Sequence, residues 1–208
     1  MANTSDGKQF ETDFKDSIAK TNYFYMRLRD AVKWGTASNS TFTPSNPCDS
    51  VLFTMPFLWL LELKSTKGAS ISFYPNTPWL RPKDTTKNVM IKANQVKELR
   101  EFVRHSGVMA GFIFNFRPRV LKSGETQNMT YFVHITDFIE FAMATGKSSI
   151  SEVDCRELGT WIPSEIKKVR YKYDIETFVN MAIPHAINHG RTSTEDYKKV
   201  IDWMDIFI

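Results

Sequence analysis

The sequence predicts an α/β protein built on a mixed central β-sheet flanked by helices. Two observations carry that prediction. The segments VLFTM (51–55), FLWLLELK (57–64) and VMAGFIFNF (108–116) are near-continuous apolar runs of strand length, as expected of strands buried on both faces. Around them lie segments whose apolar residues recur at helical spacing, and a chain that mixes the two periods packs helices against a sheet. A length of 208 residues suits a single domain with one sizeable core.

Taken in order, residues 1–6 are expected to be a flexible N-terminus, and 8–20 a helix whose stripe of Phe10, Phe14 and Ile18 faces the core, with Glu11 and Lys15 beside it. Residues 34–46, rich in Ser, Thr and Asn, read as a loop. The strands at 51–55 and 57–64 are separated by a bend at Pro56, and ASISF (69–73) after the Lys-Gly turn completes an apparent meander. A long loop at 74–92 holds three prolines and four basic residues. A helix over 93–105 carries Val96, Leu99, Phe102 and Val103, with Gln95 one turn before Leu99. The buried strand at 108–116 and another at 130–135 are joined by the polar tip LKSGETQN. A helix over 137–145 stops at Gly146, and Ser149 with Glu152 offers a capping box for a short helix ending at Gly159. From 175 an apolar helix, the polar stretch INHGRTST and a terminal helix with Trp203 and Phe207 follow, making 181–208 a C-terminal helical extension.

Two cysteines, Cys48 and Cys155, argue against a disulfide scaffold, and neither sits in a C-x-x-C pair. Cys48 reads as a small packing residue, and the four histidines as structural or surface groups. No leader-like segment opens the chain and no apolar run is long enough to span a bilayer, so a cytoplasmic protein with no membrane partner is expected. The net charge of +4 is mild. Its distribution is uneven, with Lys64, Lys67, Arg81, Lys83, Lys87 and Lys92 in one cluster and Lys167, Lys168, Arg170 and Lys172 in another. Such patches fit a phosphate backbone or a plain solvated face, and charge does not choose between them.

The chemistry centres on the end of FLWLLELK. Alternation puts Leu58, Leu60, Glu62 and Lys64 on one side and Phe57, Trp59, Leu61 and Leu63 on the other, so Glu62 and Lys64 project together from an apolar strand. A charge in that setting needs a partner or an ion. Carboxylates that hold a hard divalent cation, with a lysine that orients water, form a set suited to phosphodiester cleavage. Asp49, just before the preceding strand, is the second carboxylate that a hairpin return would bring alongside. The acid-x-Lys triplet alone is weak. It also occurs at Asp6-Lys8, Asp13-Lys15, Glu165-Lys167 and Asp196-Lys198, where a solvated charged face is the natural reading, and a rim salt bridge is the bland alternative for Glu62-Lys64.

Beyond these residues, the ordered series resembles the PD-(D/E)xK nuclease superfamily, and within it the RecU-type Holliday junction resolvases of Gram-positive bacteria and their phages. GKQFETDFKDSIAKTNYFY resembles that family's opening helix. Asp49, then Glu62-Leu63-Lys64, then Ser65-Thr66-Lys67 and ASISF resemble its catalytic segment. IKANQVKELREFVRHSGVMAGFIFNF resembles its glutamine-bearing helix and next strand, and KSSISEVDCRELGTWIP with RYKYDIETFV its C-terminal segment. The resemblance implies a restriction-endonuclease-like fold and a homodimer that resolves four-way DNA junctions in recombination and repair. It implies that Asp49, Glu62 and the Leu63 carbonyl bind Mg2+, with Mn2+ able to substitute. It further implies that Lys64 positions water, that Glu11 is an accessory acid and that Gln95 lines the site.

The family's basic stalk has little chain here, since only about two dozen residues separate Met26 from Asp49. Arg27, Arg29, Lys33 and Trp34 are left to form a blunt basic tip, with Trp34 able to stack on a base. Lys67, Arg81, Lys83 and Lys87 are the further DNA-contacting candidates. The alternatives are a nuclease of the same fold acting on flaps, nicks or duplex ends, and a non-catalytic protein that binds DNA structures.

Overall fold

A computed structural model describes residues 6–28, 46–83, 85–121 and 124–192. The chain opens with helix α1 (Asp6–Ile18), followed by strands β1 (Phe24–Arg27), β2 (Ser50–Thr54), β3 (Phe57–Thr66) and β4 (Ser70–Ser72). Helix α2 (Ala93–Phe102) leads into β5 (Val108–Phe116), the short pair β6 (Val120–Leu121) and β7 (Gly124–Glu125), and β8 (Met129–His134). Then come α3 (Ile135–Thr145), β9 (Ser149–Ser151), α4 (Glu152–Leu158), β10 (Thr160–Trp161), β11 (Ser164–Lys167), β12 (Arg170–Tyr173) and α5 (Ile175–Asn188).

Among the described residues, six strands form the central sheet in the order β1-β2-β3-β5-β8-β10. Only β3 and β5 pair in parallel; the other neighbours are antiparallel, so the sheet is mixed as expected. The parallel pair needs a crossover, and the chain between β3 and β5 supplies it with the loop and α2. Strand alternation divides the core into two layers. Trp59, Leu61 and Leu63 pack against Phe10, Phe14 and Ile18 of α1 and Phe178 and Ala182 of α5. On the opposite face Leu60, Phe112 and Phe114 pack against Val96 and Leu99 of α2, Phe138 of α3 and Cys155 of α4. Asn115, buried in β5, accepts from Ser65 Oγ at 2.9 Å and donates to Asn128 and Thr130 at 2.8 Å, tying β3, β5 and β8 together one residue past Lys64.

Three expectations are corrected. The segment 69–73 does not extend a meander: β4 leaves the sheet and pairs with β9, Ile71 opposite Ile150. Both isoleucines are buried, and the place beside β3 that a third meander strand would take is filled by β5. The capping box uses Ser151 and Asp154 rather than Ser149 and Glu152, because Ser149 is already inside β9. Asp13 is not on a solvated face but 3% exposed, because it pairs with Arg170 and the Tyr171 N–H far along the chain. The hairpin of β11 and β12, and strands β1 and β10, were not anticipated. Helix α5 crosses residue 181 and sends Ile183 and Ala186 into the core beside α1. The terminal helix with Trp203 and Phe207 lies outside the described residues.

Candidate functional site

Strand register assembles the site. In the β2–β3 hairpin Ser50 stands opposite Leu61, so Asp49, one residue before β2, runs alongside Leu61–Leu63. Its N–H donates to the Leu61 carbonyl at 3.1 Å, and its Oδ2 accepts the Leu63 N–H at 2.8 Å. That geometry brings the Asp49 carboxyl group into hydrogen-bonding contact with Glu62. The hairpin return expected from the sequence is therefore present, thirteen residues being spanned by one turn and two strand segments.

Glu62 is 3% exposed. Its carboxyl is pushed up from 4.5 to about 7, chiefly by burial; Lys64 pulls it back down, and the charge of Asp49 adds to the rise. Lys64 Nζ donates to Glu62 Oε1 at 2.8 Å, and Gln95 Nε2 donates to the same oxygen. Neither of these bonds engages Oε2. Gln95 is itself oriented: its Oε1 accepts the Lys92 N–H at 2.9 Å at the start of α2, which leaves the amide nitrogen for Glu62. The helix thus locks a side chain across 33 residues of sequence onto the carboxylate.

Glu11 pairs with Arg27 at the end of β1. Arg27 stands opposite Ser50, next to Asp49, so this pair brings Glu11 to the Asp49 side of the sheet, and burial raises the nearby Tyr25 phenol. Sequence reasoning missed Tyr25; its strand is too short and exposed to carry a pattern. Cys48 is buried, donates to the Ser50 carbonyl at 3.3 Å, and burial pushes its thiol up to about 12, which keeps it protonated and unreactive. Among the described residues no group of three or more His, Cys, Asp or Glu side chains is placed to hold a metal ion. What stands together is two carboxylates, a lysine and an amide, with Leu63 between Glu62 and Lys64.

The basic candidates separate. Arg81 and Lys87 line a cavity of about 560 Å3 at the start of α2, together with Lys92, Tyr74, Asn88 and Asn94. Tyr74 donates to the Lys87 carbonyl at 3.2 Å, and Lys92 to the Asn88 side chain. Lys83 is exposed but does not line that cavity, and Lys67 is exposed at the turn after β3. Arg27 is half exposed and shares its charge with Glu11. Arg29, Lys33 and Trp34 lie outside the described residues. Among the described residues no helix is long and apolar enough to cross a membrane.

No family model matches the chain. Among solved structures, it is similar to Archaeoglobus fulgidus Hjc, a Holliday junction resolvase from an archaeal hyperthermophile, with a TM-score of 0.42 and 18% identity over 74% of this chain and 93% of that one. Among curated proteins, it is 33% identical over 189 residues to the SPbeta prophage-derived uncharacterized protein YotM of Bacillus subtilis (strain 168), covering 83% of this chain and 84% of that protein. At that identity and coverage, the chain belongs to the family of the SPbeta prophage protein YotM.

Proposed function

We propose that the chain is a magnesium-dependent endonuclease that resolves four-way DNA junctions, of the RecU type, working as a homodimer in the cytoplasm of a host cell. The observation that carries this reading is the buried Glu62 carboxylate beside Asp49, with Lys64 and Gln95 bonded to one of its oxygens. Two adjacent carboxyl groups, one of them buried, raise each other's cost of ionising and favour a cation placed between them. The donors are all oxygens, which suits Mg2+ or Mn2+. Asp49, Glu62 and the Leu63 carbonyl would hold the ion. When bound, it supplies positive charge to a phosphate on which negative charge is building.

The chain's own groups do the rest. Asp49 fixes the Leu63 N–H and so the strand on which Glu62 and Lys64 stand. Gln95 holds Glu62 in one orientation. Lys64, two residues along the same face, donates to a water directed at the phosphate and keeps its lone pair in place. Removing the Gln95 amide would loosen a carboxylate without deleting it, the effect expected of a positioning residue.

The test is cleavage of a panel of four-way junction, flap, nicked and linear DNA by purified protein with Mg2+. Cutting of the junction is expected, replaced by binding without cutting when Ca2+ is the only divalent ion. Asp49→Ala and Glu62→Ala should bring cutting to background with DNA affinity equal or higher, and Gln95→Ala should slow it about tenfold or more. Undiminished cleavage in a chelator would remove the metal from the reading. Preference for flaps, nicks or ends would keep the chemistry and reassign the substrate.

A further inference from the structure

A second group of cations, outside the catalytic set, sits where the parallel strands end. Thr66 of β3 pairs with Phe116 of β5, and the Arg117 N–H donates to the Thr66 carbonyl at 2.8 Å, so the two chains leave the sheet side by side. Beside them opens a cavity of about 290 Å3 walled by Arg117, Arg119 and Arg156, with Gly68 at its rim. Among the described residues its one carboxylate is Glu152, whose Oε1 already accepts the Tyr131 hydroxyl at 2.6 Å. Arg119 and Arg156 thus line a hollow whose carboxylate is already engaged. Guanidinium is the cation whose planar fork matches phosphate oxygens in pairs.

The placement relates this cavity to the site. Glu62, Lys64 and Thr66 share one face of β3 by alternation, and Gly68 lies at most ~13 Å from Lys64 at ~3.3 Å of rise per residue. Gln95 links Glu62 to the start of α2, where Arg81, Lys87 and Lys92 line their own cavity. A polyanion seated in the arginine cavity reaches Lys64 within about four nucleotide steps of 3.4 Å.

We propose that the cavity of Arg117, Arg119 and Arg156 is a phosphate subsite that holds the backbone of the cut strand a few nucleotides from the scissile bond. This rests on the nuclease reading for its substrate, but it concerns binding and needs no cleavage. Arg117 is held through its backbone bond to Thr66. Arg119 and Arg156 come from separate elements, the turn after β5 and helix α4, and close on a phosphate from two directions.

The experiment measures binding of a fluorescent four-way junction in chelator across a salt series. Wild type is compared with Arg119→Ala/Arg156→Ala, Arg119→Lys/Arg156→Lys, and Arg104→Ala, whose exposed arginine pairs with Glu101 elsewhere. The double alanine variant should flatten the slope of log affinity against log salt by about 1.8, at about 0.9 per phosphate contact, and bind about tenfold more weakly at low salt. The lysine variant should keep the slope, and Arg104→Ala should leave both quantities unchanged. An unchanged slope in the double alanine variant, with wild type still binding, overturns the subsite alone. The same flattening in Arg104→Ala overturns it as well, since the effect would then be general charge. Absence of DNA binding by wild type overturns the subsite together with the nuclease reading.

Discussion

His134 closes β8 and opens α3, and burial governs its chemistry. Its Nδ1 accepts the Thr136 N–H at 3.2 Å as the helix cap, while the ring is 4% exposed. Burial first, then the positive charges of Arg191 and His185, lower its pKa from 6.5 to about 3. The unfolded chain takes up a proton below 6.5 that the native state refuses until about 3, so stability is full above that window and falls as pH drops through it. The loss is on the order of 4 kcal/mol by pH 3. Asn caps helices well and does not titrate. His134→Asn should therefore keep α3 and flatten the acid side of a Tm-against-pH curve between pH 6.5 and 4. A curve that falls as steeply as wild type would mean that other groups set the acid limit.

Helix α1 and the β11–β12 hairpin depend on one buried carboxylate. Asp13 accepts from Arg170 Nε at 2.7 Å, from the Tyr171 N–H at 3.1 Å and from Gln9 Nε2 at 2.7 Å. Beside it Ser17 Oγ accepts the Tyr173 N–H at 2.9 Å. These bonds carry a hairpin that has few buried residues of its own. Asp13→Ala leaves the Tyr171 N–H without an acceptor, and urea titration should show destabilisation of about 2 kcal/mol. The partners sit 157 and 158 residues away in sequence, which is why Asp13-Lys15 looks like a surface pair when only local spacing is available.

Among the described residues the acidic pair shares the molecule with the arginine cavity and the cavity at the start of α2, and the long 74–92 loop builds the latter. Arg81→Ala/Lys87→Ala should flatten the salt dependence of DNA binding by about 1.8, whereas Lys83→Ala, outside the cavity, should change it by less than about 0.3. Equal effects at all three positions would make the loop a diffuse positive surface. Junction resolution also needs two sites at a fixed separation. Sedimentation should give a dimer, and competition binding a preference for four-way junctions over linear duplex of the same length. A monomer, or equal affinity for both DNAs, would favour the general nuclease.

Read alone, the sequence determined the elements whose cause is local. Continuous apolar runs marked β3 and β5 because a strand buried on both faces must be apolar at every position, and Phe10, Phe14 and Ile18 marked α1 through its period. Alternation along β3 also put Glu62 and Lys64 on one face. It left the site's assembly to the fold. The contact between Asp49 and Glu62 depends on the β2–β3 register, and the Gln95 bond on how α2 crosses back over the sheet. The partners of Asp13, the departure of β4 to β9 and the gathering of three arginines at the strand ends share the same cause. Each is a pairing between residues far apart in the chain, and hydrogen-bond and charge partners at that separation leave no periodic trace in the sequence.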